Sequence, residues 1–380
     1  MLKKTLRALR EYPWVILFAL FILSYTVLDM SFTNKSYSEL ENRPLKTRPK
    51  MSFSALMSGD YDEKFDAYIN DQFFGRDGWI TLKSRTESAL LKTENNEIVY
   101  GKDGYLFKKY DRIDGEKYQA NERYIREFFE KYPQQEITFC VVPNSYEILK
   151  DKLPAGLSLV DEAAEIERLY AGLPDNVTAQ NVYPTLWEHR DDYIYYRTDH
   201  HWTTYGAYLA VCAYAGERGM IPPPLEAIDS QKVPNFYGTY FSKAKKAGAK
   251  ADVITYYEVP VRSVTVADEE RDGLYDLQKF ETRDKYAAFL WGNNNRTVIE
   301  SDQNLNKVEG KKTRVLLIKD SYGNCFAPFL CYLYDEVVIA DLRYLPKASD
   351  LMEDGQYDDV LLMYNFESLA SDGYLAKLRY

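Results

Sequence analysis

The run Arg197-Thr198-Asp199-His200-His201-Trp202-Thr203-Thr204-Tyr205-Gly206 holds two of the three histidines in a chain of 380 residues, with a carboxylate directly before them. Upstream, Tyr193-Ile194-Tyr195-Tyr196 is aromatic and β-branched, which predicts a strand over 193–197. Downstream, Thr203 or Thr204 can cap a helix, because Tyr208, Leu209, Val211, Cys212 and Tyr214 recur at helical spacing. The Asp-His pair thus falls where a strand passes into a helix, where α/β proteins keep their chemistry. In extended backbone, residues two apart point to one side, so Asp199 and His201 share a face and His200 points away. A carboxylate beside an imidazole accepts the Nδ1 hydrogen, fixes the tautomer and leaves Nε2 free as a base. Three readings stay open: a catalytic pair awaiting a nucleophile, a buried structural pair, and a metal site on Asp199, His200 and His201. Adjacent ligands rarely converge and no further His or Cys cluster is present, which disfavours the metal.

Alternating helix and strand surrounds this run. Helices are expected near 120–131, 160–171 and 204–217. Ile137 to Val142, Arg314 to Ile318, Glu336 to Ala340 and Asp359 to Asn365 are unbroken apolar strands. Such strands between helices imply a parallel sheet covered on both faces. Residues 220–310 lose the rhythm and read as a β-rich insertion near the site. Earlier in the chain, residues 61–92 carry a helical pattern broken near Gly75-Arg76-Asp77-Gly78. Gly101-Lys102-Asp103-Gly104 joins two short β runs as a hairpin.

Ser321 supplies a nucleophile candidate, just past one apolar strand and at the start of a helix. Free backbone N–H groups and a positive dipole end point there toward a developing oxyanion. The plain alternative is a Ser N-cap. Asn365 ends another strand and can lend an N–H to the same oxyanion, or can be a turn residue.

A net charge of −10, with nothing basic concentrated along the folded part, argues against nucleic acid as a partner. The 34 tyrosines present flat rings with polar tips that suit sugar rings, although an aromatic core explains most of them equally well. Lys3, Lys4, Arg7 and Arg10 precede an apolar run from Pro13 to Leu28. No Ala-x-Ala-like cleavage site follows. An uncleaved single-pass anchor is therefore expected, its basic flank cytoplasmic and the main domain extracytoplasmic. Cys325 and Cys331 sit too far apart on one helix to bridge, and no obligatory disulfide is expected.

Asp-Ser-Tyr-Gly after a buried strand resembles the nucleophile block of SGNH hydrolases, and Asp359 to Asn365 resembles their later strand ending in the oxyanion Asn. Here Asp199-His200-His201-Trp202 precedes Ser321, the circularly permuted order of the alginate O-acetyltransferase family. Thr198 to Thr203 is similar to the name-giving motif of the DHHW protein family, its bacterial relative. Glu41-Asn42-Arg43-Pro44-Leu45, Asp71 to Asp77 and Gly101 to Phe107 are similar to that family's N-terminal signatures. The resemblance spans about residues 40–365. Two positions depart from the pattern: Lys319 stands where many SGNH enzymes have Gly, and Asn144 where relatives often carry a basic residue.

The resemblance implies an SGNH-hydrolase-like α/β fold in which Ser321 is nucleophile, His201 base and Asp199 its orienting acid. Ser321 and Asn365 would form the oxyanion hole, and Tyr322, Asn144, Arg197 and Trp202 are expected at the substrate. No cofactor and no metal are expected. The chain divides, on this reading, into an anchor (1–30), an extracytoplasmic tether with helix and hairpin (31–112), and the α/β domain (113–380) with its insertion about 220–310. The activity implied is O-acetyl transfer or acetyl-ester hydrolysis on a cell-surface polysaccharide, with a membrane-bound O-acyltransferase as supplying partner. The alternative is a non-catalytic glycan-binding or assembly component.

Overall fold

The four unbroken apolar runs become the middle of one sheet in the computed structural model, which describes residues 11–354 and 356–380. Its strands are β1 (Ile137–Val142), β2 (Val177–Gln180), β3 (Ser263–Val266), β4 (Glu269–Arg271), β5 (Arg296–Glu300), β6 (Arg314–Lys319), β7 (Glu336–Ala340) and β8 (Asp359–Asn365). Their spatial order is β4-β3-β5-β7-β6-β8-β1-β2. From β7 to β2 every neighbouring pair is parallel, while β5, β3 and β4 extend the β7 edge antiparallel. Strands β1, β7 and β8 are buried at every residue, and β6 at all but Arg314. Burial on both faces is why these strands do not alternate polar and apolar.

Helices cover both faces. Gly115–Lys131, capped by Asp114, packs with Phe366–Ser371 and Tyr374–Arg379, while Thr204–Glu217 packs with Gly323–Leu330 and Tyr183–Glu188. Thr203 is the cap of Thr204–Glu217, accepting from Gly206 N at 3.2 Å. Register aligns the strand ends that matter: Lys319 of β6 pairs with Met363, and Asn365 of β8 pairs with Val142 of β1. The turn after β6 therefore emerges level with the ends of β8 and β1, the crevice side of a parallel sheet.

Residues 220–310 do not stand apart. They supply β3, β4 and β5 to the main sheet, and Ser230–Phe236 pairs with Asp252–Tyr257 as a separate two-stranded sheet. The strand expected over 193–197 is a narrow loop closed by a single Tyr195–Trp202 bridge. It fails as a strand because the Arg197 and Thr198 N–H groups bond the Asp252 carboxylate, 2.8 Å each, rather than a neighbouring chain.

The chain divides into two compact units. One runs to Lys92 and takes in Lys245–Ala247; the other holds Thr93–Ala244 and Gly248–Tyr380. The division falls at 92/93 rather than 112/113, because the hairpin strands Ile98–Tyr100 and Leu106–Lys108 bury Ile98, Val99, Leu106 and Phe107 in the larger unit. In the smaller unit, Pro13–Ser31 is a helix with no buried residue, long and apolar enough to cross a membrane. The basic residues Lys3, Lys4, Arg7 and Arg10 lie outside the described residues. Helices Asp60–Gln72 and Arg76–Ala89 break at Gly75, whose φ of +69° favours glycine. The start of the segment expected as a tether is stitched down there. Arg43 forks onto Asp71 at 2.8 and 2.6 Å, and Gln72 donates to the carbonyls of Lys35 and Lys46 at 2.9 Å.

Candidate active site

Ser321 lies two residues past β6 and just before the helix Gly323–Leu330. Asp320 fixes this turn: one carboxylate oxygen accepts from Tyr322 N and the other from Asn365 N, both at 2.9 Å. The nucleophile turn is thereby tied to the end of β8. Helix and strand meet so closely that a Cβ on Gly323 would lie 2.7 Å from Lys319 Cβ. The Lys319 side chain is buried and donates to Asn324 Oδ1 at 2.6 Å and Asn293 Oδ1 at 3.1 Å. Burial pulls its pKa down to about 8, against the attraction of Asp341. The lysine that replaces glycine before Asp320 thus serves a buried polar network.

Across from this turn, the 197–203 loop presents its histidine. His201 Nε2 is 2.7 Å from Ser321 Oγ, and Nδ1 is 2.5 Å from Asp199 Oδ1. The same Asp199 oxygen accepts from His201 N at 3.0 Å, so a local turn, rather than strand alternation, aims the ring. Asp199 Oδ2 accepts from Thr239 N at 2.7 Å and Thr239 Oγ1 at 3.2 Å. Asp199 and His201 are 2% and 5% exposed, so their contacts are shielded from water, whereas Ser321 stays partly open. Burial alone would raise the Asp199 carboxyl; the two imidazoles and the Thr239 N–H outweigh it and hold the group well below the usual carboxylate range. His200 does not point away as strand alternation would have it: its ring lies against His201, centroids 3.7 Å apart, and its Nδ1 is 2.7 Å from Thr239 Oγ1. A third of its side chain meets solvent, yet the packing around the ring and the charge of His201 push its pKa down to about 4.

Asp199, His200 and His201 put their ligating atoms within 4.8 Å of one another. Both His201 nitrogens and both Asp199 oxygens are already engaged by protein groups, however. The donor set fits a proton relay better than a cation.

Several residues expected at the substrate are placed elsewhere. Asn365 directs its amide hydrogens to Val142 O and Asn144 Oδ1, at 3.0 and 3.1 Å, and its backbone N–H goes to Asp320. It is therefore not aimed at an oxyanion. Ser321 N–H takes no partner among the described residues and is the free donor at that position. Asn144 is buried, with its N and Nδ2 both at 2.6 Å from Glu162. Tyr322 is buried, its hydroxyl on the His200 carbonyl. Trp202 is buried, donating to Tyr322 O at 3.0 Å. Arg197 packs its guanidinium over Tyr193 and Tyr105, 4.5 and 5.4 Å from the ring centres. These four brace the site's frame.

Three contributors come from the insertion. Asp252 accepts from Arg197 N, Thr198 N, Thr198 Oγ1 and the Tyr193 hydroxyl. The Gly238-Thr239 pair cradles Asp199 so tightly that any Cβ on Gly238 would overlap that side chain. Tyr286 lies against His201. No spacing marks them, because only the tertiary fold brings them to the loop.

Solved structures share this architecture. A DHHW family protein from Eubacterium siraeum is 24% identical with a TM-score of 0.63, covering 74% of this chain and 95% of that one. Bacillus cereus PatB1 is 21% identical with a TM-score of 0.59, covering 73% and 98%. A second PatB1 structure, with a sulfonyl adduct, is 18% identical with a TM-score of 0.59, covering 74% and 100%. None of the curated proteins compared matches the chain. The DHHW protein family matches residues 135–340, over half the chain and including the Asp199-His201 loop, and this α/β chain belongs to that family.

Proposed function

We propose that the chain is an extracytoplasmic O-acetyltransferase or acetylesterase acting on a cell-surface polysaccharide, with Ser321 as nucleophile, His201 as base and Asp199 as orienting acid. The observation that carries the reading is the unbroken relay from Ser321 Oγ to His201 Nε2 at 2.7 Å and from Nδ1 to Asp199 at 2.5 Å. Ser321 Oγ attacks the acetyl carbonyl while its proton passes to Nε2. The ionised Asp199 stabilises the imidazolium, which then protonates the leaving group. A sugar hydroxyl gives its proton to Nε2 and takes the acetyl from the acyl-enzyme, and Nε2 returns that proton to the departing Ser321 Oγ; water in place of the sugar gives hydrolysis. Ser321 N–H is the main-chain donor for the oxyanion.

The N-terminal helix supports an anchor, with the chain beyond it outside the cell and the insertion about 220–310 helping to enclose the site. A membrane-bound O-acyltransferase is the partner proposed to deliver acetyl groups.

The sulfonyl adduct in one PatB1 structure recommends serine-directed sulfonyl fluoride and fluorophosphonate probes. Ser321→Ala is expected to lose acetyl release from a model ester and all probe labelling while keeping its thermal melt. Undiminished activity in that variant overturns the reading. The engaged amide of Asn365 favours a second reading, a non-catalytic glycan-binding component. An intact wild-type chain that never labels at Ser321 would select it.

A further inference from the structure

Tyr286 touches both halves of the Ser-His pair with one side chain. Its ring lies flat on His201, centroids 3.8 Å apart and planes 13° from parallel. Its hydroxyl donates to the main-chain oxygen of Ser321 at 3.0 Å. His200 takes another face of the same imidazole, with centroids 3.7 Å apart. No ring contact joins His200 to Tyr286 among the described residues, so His201 is held between them. Tyr286 is itself immobilised: it is buried in the turn Lys285–Ala288 and packs on Phe289, centroids 5.2 Å apart. Burial raises the phenol far above its ordinary range, so the hydroxyl remains a donor.

The bonds to Asp199 and Ser321 run from opposite sides of the imidazole and fix it along one line. They leave the ring free to rock about that line, and they do not hold Ser321 at its distance. We propose that Tyr286 is a positioning residue for acyl transfer, clamping the His201 ring by its face and the Ser321 main chain by its hydroxyl. Nε2 and Oγ then stay in contact while the proton moves. The same ring face favours the imidazolium that forms on proton transfer. The inference rests on the acyl-transfer reading above.

The test uses the full chain, a model acetyl ester and a fluorophosphonate probe. Displacing reacting groups by about 1 Å costs on the order of a hundredfold. Tyr286→Leu is accordingly expected to lower kcat and the probe-labelling rate by about ten- to a hundredfold, with KM within about twofold. Tyr286→Phe keeps the stacked face and loses the hydroxyl, so its kcat is expected to fall by only about threefold. A Tyr286→Leu protein with unchanged kcat, or with raised KM and intact kcat, overturns the proposal. Where thermal melts show Tyr286→Leu unfolded, Tyr286→Phe decides: a measurable kcat loss at unchanged KM supports it, and none overturns it. Undiminished activity in Ser321→Ala would instead remove the reading beneath, so the two failures are distinct.

Discussion

The two sides of the cleft are held by different means. On the nucleophile side, parallel register sets Ser321: the turn after β6 lies level with the ends of β8 and β1, and Asp320 ties the turn to Asn365 through backbone N–H groups. On the histidine side there is no strand, only a loop pinned by side chains and backbone of the insertion. Asp252 holds its base, Thr239 its carboxylate and Tyr286 its imidazole. A main-chain ladder tolerates many sequences, whereas a loop held by a few buried polar groups depends on each one. Single substitutions should therefore weaken the histidine side more than the nucleophile side.

The largest effect is expected at Asp199→Asn. An amide in that place can donate where Nδ1–H must donate, which leaves His201 in the wrong tautomer for accepting the Ser321 proton. A drop in kcat of about four orders of magnitude follows by the triad precedent. Near-normal ester turnover in the folded variant would mean that the relay does not run through this carboxylate. Next comes Asp252→Ala, which touches no reacting atom. It strands the Arg197 and Thr198 N–H groups, the Thr198 hydroxyl and the Tyr193 hydroxyl in a buried setting. Urea unfolding should show a loss of about 3 kcal/mol, the usual scale for orphaned buried donors. A loss below about 1 kcal/mol would show that the insertion is not what fastens the loop.

The same contrast explains what was legible in the sequence. Strands β1, β6, β7 and β8 could be read directly, since burial on both faces writes them as unbroken apolar runs. Ser321 could be placed because it follows one of them. Asp199 and His201 stand out by their scarcity and spacing, yet the strand argument that prefers His201 over His200 reaches the histidine that meets Ser321 through a geometry the loop does not have. Asn365 and Asn144 sit at the expected strand ends, but which way an amide turns is decided by partners that no local pattern shows. Tyr286, Gly238 and Asp252 were invisible for a related reason. They are ordinary residues of a region without periodicity, and their meaning comes from pairings across long stretches of chain.

The difference between the two sides should also appear in how stability responds to pH. The histidine side rests on Asp199, ionised and held below its ordinary range; the nucleophile side backs onto Glu162, where burial outweighs the Asn144 hydrogen bonds and raises the pKa from 4.5 to about 8. In the folded chain Glu162 keeps its proton where the unfolded chain has already lost it. Its contribution to stability is full below the unfolded value and disappears as pH rises through about 8. Glu162→Gln resembles the protonated form and cannot titrate. The stability of the wild type relative to this variant should then fall between about pH 5 and pH 8, by up to about 1.4 kcal/mol per pH unit. Urea unfolding of both proteins across that range measures the difference directly. A difference that stays level would place an ionised carboxylate behind Asn144, and the cleft would then be backed by charge on both sides.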